Sequence, residues 1–328
     1  MIPGSKMSKQ STMSAPFIRS RDGVHMAEIE ICIALLPLIL WAAVGHSYRA
    51  LLTAGSSLIF AVVIDIALRF AMAKVSKKRF SIGVDLYPVL IGLSAACVLP
   101  INASIPALLI LDIVAIAAYR LLGGIISPIA VGYTVLFLVS GGMSASFVYS
   151  GDRVKLPLDS LFLEKLPDVE ILDMLLGRVP GALGEMSVIL LALCFVYLLV
   201  RGRISWEIPV ALVGAGVLVA FELAPDSVEY YRYALTQLCS GSLIFGAIFV
   251  AADKRRAPVS SAGRLIFGAL IGAVSMLGRI YLKFDAVYPT IALFSLFTPL
   301  LDRFTSPPPF GGVHRGSKQK NNDAKAVS

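Results

Sequence analysis

Residues 51–79 read LLTAGSSLIFAVVIDIALRFAMAKVSKKR, a long apolar segment that ends in a basic cluster. Within 51–73 the only charges are Asp65 and Arg69, and a helix of this length can cross a hydrocarbon core of about 30 Å. The whole chain has the same character, with 57% hydrophobic residues, 15% charged residues and a mean hydropathy of +0.81. Soluble proteins carry roughly 25% charged residues. The sequence therefore predicts an all-α, polytopic membrane protein.

Apolar segments recur from the first tenth of the chain almost to its end. From their lengths we predict about ten membrane-spanning helices. They fall at residues 29–46, 51–73, 86–100, 104–122, 128–144, 185–201, 205–222, 234–251, 264–281 and 285–302. Residues 1–28 and 303–328 are then tails outside the membrane.

Lysine and arginine cluster in alternate gaps between these segments. The basic gaps hold Lys74, Lys77, Lys78 and Arg79, then Arg120, then Arg201 and Arg203, then Lys254, Arg255, Arg256 and Arg264. By the positive-inside rule these gaps are cytoplasmic, and so are both termini, with Arg279 and Lys283 as exceptions. This topology accounts for the net charge of +8, so we expect no nucleic-acid partner. We expect the protein to reside in a bacterial plasma membrane.

One long connection, residues 145–184, divides the predicted spans into halves at 29–144 and 185–302. It is extracytoplasmic on the charge pattern and rich in acidic residues. With an odd number of spans in each, homologous halves would be inverted relative to each other, an arrangement that places a substrate or ion site between them. Two stretches, DLYPVLIGLSAACVLP (85–100) and LTQLCSGSLIFGAIFVAAD (235–253), hold Gly, Ser or Pro within predicted spans. They indicate either broken helices that line a cavity or close helix packing.

Several kinds of chemistry lack the residues they need. The histidines lie in the tails or at a span end, where they cannot supply the paired ligands of a membrane haem: His25, His46 and His314. The cysteines are scattered without CxxC spacing: Cys32, Cys97, Cys194 and Cys239. No P-loop, GxSxG or HExxH motif is present, which argues against nucleotide hydrolysis and the common hydrolase mechanisms.

Acidic residues inside the predicted spans are candidates for an ion pathway. Asp65 lies four residues before Arg69 on the same helix face, which favours an intrahelical ion pair. Asp112, in LLILDIVAI, has no such local partner. It is either a carboxylate on a cation path or a protonated or hydrogen-bonded acid. Asp302, in FTPLLDRF, stands at the inner end of the last predicted span, where it can be a simple interfacial residue.

Three stretches resemble the RnfD and NqrB family, the large membrane subunits of the Rnf and sodium-translocating NADH:quinone reductase complexes. They are SAPFIRSRDGVHMAEIEICIALLPLILWAAV (14–44), GALGEMSVILLALCFVYLL (181–199), and GRLIFGALIGAVSMLGRI (263–280) with TPLLDRFTSP (298–307). They occur in the family's order, and the resemblance as a whole extends over most of the chain. The resemblance implies a ten-span fold of two inverted five-helix halves, in agreement with the count above.

The resemblance also implies a flavin site in the long loop. In that family the loop carries a threonine that bears FMN through a phosphoester bond. The matching stretch here is DRVKLPLD, in which Pro157, Leu158 and Asp159 keep the frame while Leu156 occupies the threonine position. Leucine has no oxygen to esterify, and Ser160 lies outside the motif's context. We therefore expect no covalent FMN.

Other family motifs have also lost polar residues in this chain. A run that is NPFNPA in the family is shortened here after the glycine pair Gly123 and Gly124, ending at Ser127 and Pro128. The GETS motif reads Gly184, Glu185, Met186, Ser187, and a TDP-like turn reads Ala252, Asp253, Lys254. These departures favour a divergent member of the family.

The resemblance further implies a second, non-covalent flavin in the membrane domain, held partly by the acid of the PLxD motif, which is Asp302 here. Its expected binding residues are drawn from the retained motifs: Asp302, Gly123, Gly124, Ser127, Gly184, Glu185 and Arg264. The cofactor would be riboflavin or FMN, and the partners would be other Rnf-like or Nqr-like membrane and redox subunits, with Na+ or H+ as the ion. The alternative is a non-redox transporter or channel-like protein on the same scaffold.

Overall fold

The computed structural model describes residues 24–75, 85–142, 156–225 and 229–305, and within them it contains helices and no strand. The helices of the first half are α1 (Val24–Gly45), α2 (Arg49–Val75), α3 (Tyr87–Val98), α4 (Ile105–Leu121) and α5 (Pro128–Ser140). Two short helices, α6 (Pro157–Phe162) and α7 (Ile171–Leu176), follow in the long loop. The predicted all-α, polytopic membrane architecture is confirmed.

The second half repeats this sequence of elements. It contains α8 (Val188–Val200), α9 (Glu207–Glu222), α10 (Tyr230–Cys239), α11 (Leu243–Phe245) continuing as a π-helix (Gly246–Ala251), α12 (Ser261–Tyr281), α13 (Val287–Leu296) and α14 (Thr298–Thr305). Helices therefore occur at each of the predicted span positions.

The helices differ in length more than the sequence predicts. Three are long and apolar enough to cross a membrane alone, His25–Gly45, Arg49–Val75 and Ser261–Tyr281, and the pair 230–239 and 243–251 makes a fourth if counted as one bent span. At 1.5 Å per residue, a 12-residue helix such as α3 reaches only about 18 Å. Ten complete crossings thus remain a prediction.

Helix starts follow from proline and serine at the expected positions. Pro128 begins α5 and Pro157 begins α6, where the missing amide hydrogen costs no helical hydrogen bond. Ser187 and Ser260 cap α8 and α12, each accepting from a backbone N–H three residues on. Gly177, with φ of 80°, ends α7 in a left-handed conformation that suits glycine.

The two halves pack in a similar order. In the first half α2 packs against α3 and α4, and α4 packs against α5; in the second half α9 packs against α10 and α12, and α12 packs against α13. Between the halves α1 packs against α8 and α5 against α13. The first helix of one half therefore contacts the first helix of the other half, and the fifth helix contacts the fifth. Such pairing is what two repeats related by a two-fold axis would produce, and the inversion of one half relative to the other stays a prediction.

Two glycines bring α9 and α12 into close contact. A Cβ added at Gly268 would lie 2.6 Å from the Ile208 carbonyl oxygen, and one added at Gly272 would overlap the Leu212 carbonyl oxygen. This Gly-x-x-x-Gly pair lets two backbones approach, the usual device for packing helices in a membrane.

Of the two Gly/Ser/Pro-bearing stretches, the second contains a broken helix. The chain bends by 59° between α10 and α11, at Ser240, Gly241 and Ser242. In the first stretch α3 simply ends at Val98, and Pro100 pairs with Ala182 of the long loop in an isolated bridge. The broken-helix alternative is thus confirmed for residues 235–253.

Candidate functional site

A cavity of about 370 Å³ lies on the side of the long loop. We call it the loop-side cavity. Its walls come from the ends of α3 and α5, from the loop helices α6 and α7, and from the break after α10. The lining is mostly apolar and aromatic and includes Tyr133, Phe137, Leu156, Pro157, Phe162, Met174, Met186 and Phe284. Phe137 and Phe284 stack with ring centroids 4.8 Å apart.

The resemblance-based flavin stretch lies in the wall of this cavity. Leu156 precedes α6, and its backbone N–H donates to Asp159 Oδ2 at 3.0 Å. Leu158 packs in a small cluster with Leu161 and Tyr233, which holds α6 against the second half. Residues 152–155 of the motif lie outside the described residues. The side chain at the threonine position therefore lines a cavity, but it offers only carbon to whatever occupies it.

Gly184 precedes Glu185, which lines the cavity. The Gly184 N–H donates to the Cys97 carbonyl oxygen at 2.8 Å, so the chain runs along the end of α3. A Cβ on Gly184 would stand 2.7 Å from both Cys97 and Phe245, which explains glycine there. Glu185 follows with its side chain buried, and Tyr288 donates its hydroxyl to Glu185 Oε1 at 2.7 Å.

Beside Glu185 a buried arginine joins three elements. Arg279 of α12 is 1% exposed, and its Nε lies 3.1 Å from Asp285 Oδ1. Its Nη1 donates to the carbonyl oxygens of Gln237 and Ser240 at 3.0 and 3.1 Å, where α10 ends. Charge patterning marked Arg279 only as an exception to the positive-inside rule. That exception was the one signal in the sequence that pointed to this cluster.

The remaining predicted flavin residues lie on the opposite, arginine-rich side. Ser127 lines a smaller cavity of about 150 Å³, the basic-side cavity, together with Tyr87, Asp253, Arg255 and Arg256. Gly123 and Gly124 precede it with φ of 61° and 86°. The structure thus separates the predicted binding set into two groups at opposite ends of the bundle, with Gly184 and Glu185 apart from the rest.

Asp302 and Arg264 both hold the turn before α12. Asp302 Oδ1 accepts from the Val259 N–H at 2.8 Å, while Arg264 donates to the carbonyl oxygens of Pro258 and Val259 at 2.9 and 3.0 Å. Neither residue lines either of the two cavities. The geometry gives both residues a structural role, and their flavin contact stays a prediction.

Tyr87 is the centre of the basic side. The guanidinium carbons of Arg255 and Arg256 lie 4.5 and 5.2 Å from its ring centroid, and Arg256 also pairs with Asp253. Arg255 pairs with buried Glu28 of α1. The TDP-like turn therefore joins the second half to α1 and α3, a role that the sequence pattern did not indicate.

Asp65 forms the predicted pair with Arg69 and a second pair across the bundle. Its Oδ2 lies 2.8 Å from Arg69 Nε and its Oδ1 2.7 Å from Arg120 Nε of α4. Arg120 also reaches Asp85 Oδ2 at 2.9 Å. Burial alone would raise the pKa of Asp85, but the Tyr87 N–H and Arg120 outweigh it and hold that pKa below its ordinary value. Asp65 is thus neutralised by structural partners.

Asp112 is fully buried, and within the described ranges its contacts include a hydroxyl group but no ion pair. That hydroxyl belongs to Ser57 of α2, whose Oγ lies 3.1 and 3.0 Å from the two carboxyl oxygens. In the same ranges no group of three or more His, Cys, Asp or Glu side chains is placed to hold a metal ion, and the four cysteines are free.

The chain is similar to known proteins over most of its length. The chain is 28% identical over 319 residues to the D subunit of the proton-translocating ferredoxin:NAD(+) oxidoreductase complex of Clostridium ljungdahlii, covering 91% of this chain and 95% of that protein. It is also 28% identical over 306 residues to the D subunit of the Na(+)-translocating ferredoxin:NAD(+) oxidoreductase complex of Acetobacterium woodii, covering 89% and 92%. A shorter match, 40% over 119 residues, is to the D subunit of the ion-translocating oxidoreductase complex of Haemophilus ducreyi, covering 35% and 33%.

The family model described as NQR2, RnfD, RnfE matches residues 11–311, which is most of the chain. The resemblance that the three sequence stretches indicated is thereby confirmed. This membrane protein belongs to the NQR2, RnfD, RnfE family.

Proposed function

We propose that this chain is a membrane subunit of an ion-translocating oxidoreductase complex, equivalent to the subunit that its Clostridium and Acetobacterium relatives represent. The observation that carries the proposal is full-length similarity: the family match spans 11–311, and both relatives align over more than nine-tenths of their own length. A ferredoxin:NAD+ oxidoreductase of this kind moves electrons between soluble carriers and couples that flow to an ion. The described residues include no cluster of metal-ligating side chains, so the partner subunits would carry the iron–sulfur or further flavin centres.

The names of the two relatives do not decide which ion is moved. One is named as proton-translocating and the other as Na(+)-translocating, at the same 28% identity to this chain. We therefore propose H+ or Na+ as the ion, with the bacterial plasma membrane as the location and both termini in the cytoplasm.

We further propose that the loop-side cavity holds a flavin without a covalent bond. Its volume of about 370 Å³ falls within the roughly 300–1,000 Å³ of small-molecule sites. Its walls offer flat apolar surfaces for an isoalloxazine ring, chiefly Tyr133, Phe137, Phe162 and Phe284. A flavin supplies redox chemistry, and the chain's own part is to bind, orient and shield it from water.

The charges of the lining favour a neutral flavin such as riboflavin over FMN. Three carboxyl groups line the cavity, on Asp159, Glu185 and Asp285, and they would repel a phosphate. Among the described lining residues the only cation is Lys283, which already contacts Glu164 at 2.7 Å. A phosphate bound here would therefore lack a cationic partner.

The test is to purify the full chain from its native membrane with mild detergent and to identify what remains bound. We expect other oxidoreductase subunits to copurify, and near-ultraviolet and blue flavin bands that pass into the small-molecule fraction after denaturation. A Phe284→Ala variant should lose flavin, whereas Leu218→Ala, at an exposed position of α9 away from the cavity, should keep it. Recovery of the chain alone, without flavin or partner subunits, would favour the non-redox transporter.

A further inference from the structure

The broken helix in the second half ends against a fixed positive charge. In transporters the C-terminal end of a half-helix commonly presents its free carbonyl groups to a cation. Here Arg279 takes that place at the end of α10, on the carbonyl oxygens of Gln237 and Ser240. Gly241 permits it, because a Cβ there would stand 2.8 Å from Arg279 Nη2, and its φ of 71° suits glycine.

The cluster around Arg279 is short of one positive charge. Asp285 is paired directly with Arg279, and its Oδ2 also accepts from the Ser242 N–H at 3.1 Å. Glu185 is the second carboxyl group, and Tyr288 is the hydrogen-bond donor that contacts it. With both acids ionised, two negative charges face one guanidinium in a buried site. A buried net charge is costly, so the ionised state calls for one more cation.

Unpartnered oxygen atoms surround the same break. Among the described residues, the Oε1 of Gln237 and the hydroxyl oxygen of Ser240 are buried without a hydrogen-bond partner, and the two residues are at most 4% exposed. Buried polar atoms are rarely left unpaired, and each exception asks for a missing partner. Uncharged oxygen atoms beside a carboxylate are suitable ligands for a small hard cation. Ser240, Glu185 and Asp285 also line the loop-side cavity, which supplies a route for entry.

We propose that Glu185 and the break between α10 and α11 form a site for one exchangeable positive charge, either a proton on Glu185 or a sodium ion beside it. The proposal rests on the proposed function, because ion translocation is what gives such a site its use. In this proposal the ion enters or leaves this chain from the side of the long loop. The site is separate from Asp65 and Asp112.

The groups that face Glu185 determine how the site responds to pH. Tyr288 lies on α13, and its ring neighbour Tyr133 lies on α5. Cys97 lies on α3. Arg279 lies on α12, and Asp285 lies in the turn that follows α12. Asp159 and Lys283 line the same cavity. Arg279 and the Tyr288 hydroxyl favour ionised Glu185, whereas burial and Asp285 favour the protonated form.

The experiment is difference infrared spectroscopy of the purified full chain with carboxyl-labelled glutamate. In one arm Na+ replaces K+ at fixed pH, and in the other the pH is varied without Na+. We expect a labelled glutamate that converts between the protonated and ionised forms, absent in Glu185→Gln and retained in Glu164→Gln, an exposed acid on the same side. Conversion driven by Na+ identifies sodium as the charge, and conversion driven by pH alone identifies the proton.

Tyr288→Phe provides a second variant in case Glu185→Gln does not fold. Loss of the hydroxyl that donates to the carboxylate should raise the midpoint of the pH conversion by about one unit or more. The proposal is overturned if Glu185 keeps one protonation state in both arms, or if the signal survives in Glu185→Gln. These measurements need no flavin and no partner subunit. A negative result would therefore remove the ion site while leaving the test of the oxidoreductase subunit intact.

Discussion

Ser57 and Asp112 share a buried contact between the side chains of α2 and α4. Ser57 Oγ lies 2.8 Å from the Gly92 carbonyl oxygen and 3.1 and 3.0 Å from the two carboxyl oxygens of Asp112. The hydroxyl has one hydrogen, which it can donate to either of these acceptors. The contact leaves open both alternatives for Asp112, a carboxylate on a cation path and a protonated, hydrogen-bonded acid. The contact joins α2, α3 and α4 in the core of the first half.

The protonated, hydrogen-bonded alternative predicts that Asp112→Asn is well tolerated, because the neutral amide can still form a hydrogen bond with Ser57. We expect a loss of stability within about 1 kcal/mol, against about 2–4 kcal/mol for Asp112→Ala, which leaves a cavity and an unpaired hydroxyl. Thermal unfolding in detergent measures both. Normal stability with loss of ion transport in Asp112→Asn would instead assign this acid to the ion path.

Asp65→Asn should destabilise the protein strongly. The substitution removes the carboxylate closest to Arg69 and Arg120 and leaves both with Asp85, and breaking a buried ion pair costs about 3–5 kcal/mol. Solvent reaches both arginines in part, so we expect about 2–4 kcal/mol. The matched control is Asp173→Asn, which removes an exposed pair with Arg178 and should cost less than about 1 kcal/mol. Equal stability of the two variants would contradict a structural role for Asp65.

Gly272→Ala should separate α9 from α12. The added methyl group overlaps the Leu212 carbonyl oxygen, so the backbones must move apart, at a cost of about 1–3 kcal/mol or more. Gly214→Ala is the control on α9, because nothing lies within 4 Å of its new Cβ and alanine favours a helix by about 1 kcal/mol. We expect the melting temperature to fall in Gly272→Ala and to rise in Gly214→Ala. An unchanged melting temperature in Gly272→Ala would show that the two helices are not tightly packed.

No covalent FMN should form on this chain. Coexpression with a flavin transferase, followed by a denaturing gel under ultraviolet light, should show no fluorescent band at 35.0 kDa. The acceptor position is Leu156, and Ser160 lies beyond a proline whose fixed φ of about −65° limits rearrangement. A band that disappears in Ser160→Ala would move the attachment there, and one that persists would show that the motif is misaligned.

Both termini and the connection at Lys77 should face the cytoplasm. Lys77→Cys and Lys318→Cys, made in a background without other accessible cysteines, should react with a membrane-impermeant thiol reagent only after the membrane is opened. Glu164→Cys on the loop should react in intact cells. Labelling in the opposite order would reverse the orientation that the lysine and arginine distribution predicts.

The sequence by itself determined the class of protein, the positions of its helices and the Asp65–Arg69 pair. Each of these depends on local or additive properties: apolar length, charge between segments, or a spacing of four residues on one helix. The loss of a hydroxyl at Leu156 is equally visible in the sequence, since it needs only the identity of one residue in a motif.

Tertiary structure alone decided how distant residues combine. Nothing local joins Asp65 to Arg120, or Arg279 to the carbonyl groups of Gln237 and Ser240, because these contacts depend on how helices cross. Packing likewise divided the predicted flavin residues, with Glu185 at the loop-side cavity and Asp302 on the turn at Val259. A motif records which residues are retained, whereas the relative placement of helices determines which of them meet.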